Sequence, residues 1–257
     1  MLALRSLFMA CLCLLAGTQA FAGNALANPK IRVGTAAAYP PITFLNNGKV
    51  SGIEGALAAK LSTDTGKDFS FSVMPWSELL PALERGEIDM IMSGMSITDE
   101  RAKHVDFSHS YLNVGQMAII RVADAGSLNS PTQLLQPTVR IGYVSDTTGA
   151  AFVKQVSNLT QTVAFSSIQP ALKALMAGEI DAVVHDSVTS WNVDKDPQYR
   201  NLMSLRRPLT EEKLAWAVSK QQQPLLQLLN EQVTKMKQDG SLNDVINTWI
   251  PVRVSVE

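Results

Sequence analysis

Three features of the sequence predict an α/β protein of two lobes, each a mostly parallel sheet flanked by helices. Helix-like and strand-like stretches alternate through both halves of the chain, the pattern of parallel strands covered on both faces. Residues 82–89 (ALERGEID) and 174–181 (ALMAGEID) agree at six of eight positions, and each reads as a helix tail, a glycine stop and the entry to an apolar strand. Finally, residues 116–122 leave the first half as a strand, and residues 201–205 followed by 214–218 return to it. Two crossings imply a two-strand hinge and a discontinuous first lobe, 28–118 plus 210–257, around a second lobe, 119–209.

The elements follow in order. Ile31-Arg-Val-Gly34 reads as a first strand that ends in small residues and Tyr39-Pro-Pro41. Asn46-Asn-Gly48 suggests a hairpin-like turn. Residues 56–65 form a helix with Leu57 and Leu61 on one face and Gly66 past its end. Phe69, Phe71 and Val73 alternate with polar residues, as in a half-buried strand. Ser77 reads as the cap of a helix running to Arg85, and residues 88–92 as a buried strand. In the second lobe, strands are expected over 139–144, 162–165 and 181–185. Amphipathic helices follow over 225–236 and 242–249.

The chain has 257 residues, 46% of them hydrophobic and 18% charged, and a net charge of −1. That balance gives no reason to expect nucleic acid or an anionic membrane surface as partner. The N-terminus stands apart: a short basic start ending at Arg5, an apolar run over 6–16, and small-residue patterns at Ala20-Phe-Ala22 and Ala25-Leu-Ala27. This is a signal-peptide layout over 1–27, cleaved after Ala22 or Ala27, and it implies an exported protein. Both cysteines, Cys11 and Cys13, lie inside it. His104, His109 and His185 have no metal-ligand spacing, so neither a metal nor a cofactor is expected.

The chemistry concentrates in residues 93–111. Thr98 reads as a helix N-cap, with Asp99 and Glu100 in the first turn, where the helix dipole favours acids. Arg101 is a cation where that dipole disfavours one. Either an anion is held jointly by Arg101, nearby hydroxyls and free N–H groups, or Asp99 and Glu100 neutralise it. In open α/β sheets ligands bind beyond the carboxyl ends of strands. The internal repeat puts Ser93-Gly94 of one lobe at the place of His185-Asp186 in the other, so the two pairs face each other across a cleft. His185, one residue from Asp186, is expected on the opposite strand face as a structural residue. Thr148 is a second helix-cap candidate. A cleft with Arg101, Ser96, Thr148 and Asp186 suits a zwitterion.

These residues also carry a resemblance. Tyr39-Pro-Pro41, Gly52-Ile-Glu54, Trp76, Gly86-Glu-Ile-Asp89, residues 93–111, Gly142 with Thr147-Thr148-Gly149, and residues 181–186 resemble family 3 of the bacterial extracellular solute-binding proteins. That family serves amino-acid ABC transporters. The resemblance implies the two-lobe periplasmic-binding-protein fold of type II, a periplasmic location, an amino acid or related organic acid as ligand, an inner-membrane ABC permease as partner, and a monomer. It assigns the ligand carboxylate to Arg101 with help from Ser96 and Thr148, and the ligand amine to Asp186. Tyr39 and Trp76 would sandwich the side chain, and the backbone of Ser93 and Gly94 would add hydrogen bonds. Ala36 stands where relatives that bind basic amino acids often carry an acid, which counts against a cationic side chain.

Other functions are compatible with such a chain. Some relatives on this fold are exported cyclohexadienyl dehydratases, for which Glu211 or Glu212 would supply the acid that protonates the leaving hydroxyl. A ligand-sensing subunit for a separate receptor is the third reading.

Overall fold

The computed structural model describes residues 30–250, so the expected leader lies outside the described part. Two five-stranded sheets organise it. The first runs in the order Asp68–Val73, Lys30–Thr35, Met90–Ile91, Ala217–Ser219, Val105–Phe107; the second runs Gln161–Phe165, Arg140–Val144, Ala182–Asp186, Gln116–Arg121, Leu202–Ser204. In each the first three strands are parallel, and the fourth is antiparallel to both neighbours. The reversed strand in each case is the one that arrives from the other lobe. The parallel strands end at the cleft, so a strand entering from the cleft must run the other way. Residues 116–118, counted with the first lobe from the sequence, pair within the second sheet.

The internal repeat has a physical content. Gly86 and Gly178 both take the left-handed conformation, with φ of 71° and 76°, that ends a helix sharply. The isoleucine two residues on then packs onto a glycine of the lobe's first parallel strand. A Cβ on Gly34 would stand 2.3 Å from Ile88 Cδ1, and one on Gly142 would stand 2.5 Å from Ile180 Cδ1. The aspartate that follows grips an arginine on that strand. Asp89 accepts from the backbone N–H of Arg32 at 2.8 Å and from its guanidinium at 2.6 and 3.1 Å. Asp181 does the same for Arg140, at 2.9, 2.9 and 2.8 Å. The repeated octapeptide therefore builds the same helix–turn–strand clamp in both lobes.

The central strands of each sheet are buried on both faces, as their near-continuous apolar runs require, while the edge strands Gln161–Phe165 and Asp68–Val73 are largely exposed. Helices Ile53–Thr65, Gln223–Gln238 and Ser241–Trp249 pack Leu57, Leu61, Leu229 and Ile246 on one face of the first sheet. Helix Leu79–Glu84 packs Leu79 and Leu83 on the other. In the second lobe Ala182 and Val184 face one cluster and Val183 the other, the alternation of a strand. Trp216 is fully buried against Tyr111, with ring centroids 5.7 Å apart. Trp191 and Trp249 pack on the same core.

Two local expectations fail. The strand expected over 88–92 keeps strand pairing only at Met90–Ile91. Ser77 caps no helix: it lies in a 3-10 turn, Trp76–Glu78, and the helix after it has no side-chain cap. The lobes are joined by a small ribbon in which Leu112–Val114 pairs with Glu212–Leu214.

Candidate ligand-binding site

The strand ends Met90–Ile91 and Ala182–Asp186 deliver Ser93-Gly94 and His185-Asp186 to one cavity of about 570 Å³, walled by both lobes. All eight residues expected at the site line it: Tyr39, Trp76, Ser93, Gly94, Ser96, Arg101, Thr148 and Asp186. Gly94 is there for two reasons. Its φ is +65°, and a Cβ would stand 2.6 Å from the Tyr39 ring. Its N–H points inward to the buried carboxylate of Glu54 at 3.1 Å, so that donor is already committed. Ser93 Oγ is likewise engaged, accepting from the Ala36 N–H at 2.9 Å.

The cationic pole is Arg101. Thr98 caps its short helix by accepting from the Arg101 N–H at 3.2 Å. The guanidinium reaches back over Trp76, 5.3 Å from the ring centroid. It donates only to carbonyls, Ser96 O at 2.9 Å and Asp146 O at 3.3 Å. Trp76 Nε1 donates to the same Asp146 carbonyl at 2.9 Å. Neither sequence-adjacent acid neutralises Arg101: Glu100 pairs with Lys103, and Asp99 is exposed. Burial lowers the Arg101 pKa, opposed by Asp186 and then Glu212, yet a guanidinium stays charged. The site therefore holds a largely desolvated cation without a carboxylate in ion-pair contact among the described residues.

The anionic pole is Asp186. Burial, then the neighbouring charge of Glu212, pushes its pKa up to about 7, while Tyr39, Gln116 and Arg101 pull it down. The Tyr39 hydroxyl is near enough to influence it but completes no full hydrogen bond. His185 is not on a remote face. Both residues belong to the strand and line the cavity, which lies at the strand's end and so takes side chains from both of its faces. The His185 ring meets Tyr39 edge-on at 5.8 Å. Burial drives its pKa down to about 4, so the imidazole is neutral at physiological pH.

Thr148 also differs from expectation. The helix cap is Thr147, which accepts from the Ala150 N–H at 3.1 Å. Thr148 Oγ1 instead lies 3.1 Å from Gln116 Nε2, one of three oxygens that share that amide's two protons. Sequence reasoning missed Gln116. Its Cα is paired with that of Asp186 across the antiparallel strands, and its amide donates to Asp186 Oδ1 at 2.6 Å and Glu212 Oε1 at 3.0 Å. One signal was available: Gln116 is the polar head of an otherwise apolar run. Ser96 was expected to help hold the ligand carboxylate. It gives its hydroxyl proton to Glu212 Oε2 at 2.6 Å, so toward a ligand the oxygen has only lone pairs to offer. Glu211, the other acid considered, is exposed and does not line the cavity.

Comparison with known proteins agrees with this geometry. The family model for bacterial extracellular solute-binding proteins, family 3, matches residues 31–252. A probable histidine-binding protein of Neisseria gonorrhoeae is 28% identical over 233 residues, which are 89% of this chain and 86% of that protein. Among solved structures, an ancestral arginine-binding protein bound to arginine superposes with a TM-score of 0.80 at 30% identity, covering 87% of this chain and 99% of the other. An ancestral amino acid-binding protein, described as a precursor of cyclohexadienyl dehydratase, gives 0.78 at 31% identity over 86% and 94%. With two lobes of one topology closing on a cavity of paired opposite charges, the chain belongs to family 3 of the bacterial extracellular solute-binding proteins.

Proposed function

We propose that the protein is a periplasmic receptor that clamps an amino acid between its lobes and passes it to an ABC importer, acting as a monomer. One observation carries the reading. Among the described residues Arg101 is a largely desolvated cation bonded only to carbonyls, in the same cavity as the largely buried carboxylate of Asp186. A ligand carboxylate would complete the first, and a ligand ammonium would meet the second. Closure is favoured because each pole sits on a different lobe and only a zwitterion engages both. Truncating Arg101 to Ala is expected to cost on the order of 2–5 kcal/mol in binding, as for one partner of a desolvated charge pair. Unchanged affinity by titration calorimetry would overturn the assignment.

The remaining walls bear on the side chain. Ala36, Ala38, Pro75, Ala164 and Phe165 line the cavity without charge, and the one further acid, Asp146, is exposed. This favours an uncharged or acidic side chain over arginine or lysine. A thermal-shift screen of the common amino acids tests it, since ligand at 100 times its Kd adds about 2.7 kcal/mol of stability. Stabilisation by lysine or arginine alone would refute the preference.

A dehydratase is the second reading, favoured by Glu212, whose carboxylate is 2.6 Å from Ser96 of the cavity wall. Glu212 does not itself line the cavity, which weighs against its acting as the acid. Phenylpyruvate formation from prephenate by the purified protein would establish that activity.

A further inference from the structure

Behind the cavity wall lies a set of side chains that the reading above does not use. Glu212 comes from the hinge ribbon and stands outside the cavity, yet it is bonded to three residues around it. Its Oε1 accepts from Thr210 Oγ1 at 2.8 Å and from Gln116 Nε2 at 3.0 Å, and its Oε2 accepts from Ser96 Oγ at 2.6 Å. Gln116 in turn donates to Asp186 Oδ1 at 2.6 Å. We propose that Glu212 is a positioning residue for the ligand amine, acting by holding the Ser96 proton away from the cavity and the Gln116 amide against Asp186.

The argument is one of donors and acceptors. A hydroxyl has one proton. Because Glu212 takes it, Ser96 Oγ presents lone pairs to the cavity, and these accept from an ammonium but repel a carboxylate or a second acceptor. Gln116 occupies Asp186 Oδ1, which leaves Oδ2 for the same ammonium. A neutral isostere at position 212 reverses the first effect. In Glu212→Gln the amide oxygen is drawn to the side where Thr210 and Gln116 both donate, so the NH₂ faces Ser96. Ser96 must then accept from that amide, and its own proton turns toward the ligand, where it opposes an N–H donor. Discrimination in favour of amines therefore depends on a carboxylate that touches no ligand atom.

This inference rests on the amino-acid-binding reading, and the test separates the two. Purified protein is titrated calorimetrically with L-glutamine and L-histidine and with their desamino counterparts, glutaramate and imidazolepropionate, in the wild type, Glu212→Gln, Ser96→Ala and the double variant. Glu212→Gln is expected to weaken binding of the amino acids about tenfold or more, as one misdirected buried hydrogen bond would. The desamino acids should change less than threefold. The penalty should vanish when Ser96 is already Ala, because the effect passes through that hydroxyl. Equal losses for amines and desamino acids, or a penalty that persists in the Ser96→Ala background, would overturn the role of Glu212 while leaving the binding function intact. If Asp186→Asn also fails to distinguish amines from desamino acids, or if no common amino acid binds in the thermal-shift screen, both the inference and the reading beneath it fail. Melting temperatures of all variants separate misfolding from lost recognition, and Glu212→Asp, which keeps the acceptor, is expected to recover part of the selectivity.

Discussion

Asp186 is buried among Tyr39, His185, Gln116, Glu212 and Arg101, and its pKa near 7 reflects desolvation first and the charge of Glu212 second. An arriving ammonium favours the ionised form, so binding at neutral pH releases a proton. Amine-ligand affinity should therefore rise with pH between about 6 and 8, by up to tenfold per unit where Asp186 is still protonated. Calorimetry of L-glutamine binding in phosphate and in Tris, which differ in ionisation enthalpy, would report that proton. A buffer-independent enthalpy at pH 7 would show that Asp186 is already ionised. At this scale Arg101 and Asp186 were legible in the sequence, because each follows a strand end that topology turns toward the cleft. The direction of the Ser96 proton was not, since it depends on Glu212, which stands 116 positions away. His185 was expected to stand away from the site, yet it lines the cavity too, because the cavity lies at the strand's end and is reached from both of its faces.

Two elements set the geometry of the site, and each suggests a substitution. The first is the turn that carries Arg101. Thr98 holds its opening with one hydrogen bond to the Arg101 N–H, so Thr98→Ala should cost about 1 kcal/mol of stability and weaken ligand binding through a looser guanidinium. A stability loss with binding untouched would mean that Trp76 alone positions the arginine. The second is the hinge. Gly115 passes so close to the returning chain that a Cβ would lie 2.0 Å from the Thr210 carbonyl oxygen, and the Gln116 N–H is bonded to Thr210 Oγ1 at 2.9 Å. Gly115→Ala must push the two crossings apart, at a cost of about 1–3 kcal/mol for overpacking. It should also disturb the Gln116–Asp186 contact and lower amine affinity. Denaturant unfolding and calorimetry on the same variant would separate the two effects. The helices lie within a few residues of where the sequence places them because glycine stops and apolar faces are local signals. Thr148 loses the cap role to the adjacent hydroxyl of Thr147, a choice made by backbone direction, whereas Ser77 caps nothing because a 3-10 turn precedes the helix and puts Glu78 at its cap position.

Across the whole molecule, buried titratable groups tie stability to pH. Glu54 is held at about 7 by burial, with Tyr111 and the Gly94 N–H partly opposing, and Asp186 is raised similarly. A carboxyl raised on folding contributes stability that is fully present below its unfolded pKa and lost as pH rises through the folded value. The buried His185, lowered to about 4, acts in the opposite sense, but its contribution is complete above about pH 6.5. Between pH 6.5 and 8 the carboxyls therefore prevail, and the unliganded protein should lose about 1–3 kcal/mol over that window. Urea midpoints at pH 6.5 and 8 would show it. Glu54→Gln should flatten the slope, and an unchanged slope in that variant would remove Glu54 from the account.

The sequence by itself determined the class of fold, the family, the doubled helix–turn–strand unit and the two charged poles. Each of these is written in short-range patterns: apolar periodicity, a glycine where a helix must stop, an acid or base at a strand end. The tertiary structure alone decided that Arg101 has no carboxylate partner among the described residues, that Gly94 commits its N–H to Glu54, and that Gln116 and Glu212 stand behind Asp186. Those facts arise where strands from both lobes meet at the hinge. A hydrogen bond there is set by the register between segments far apart in the chain, and no local pattern encodes that register.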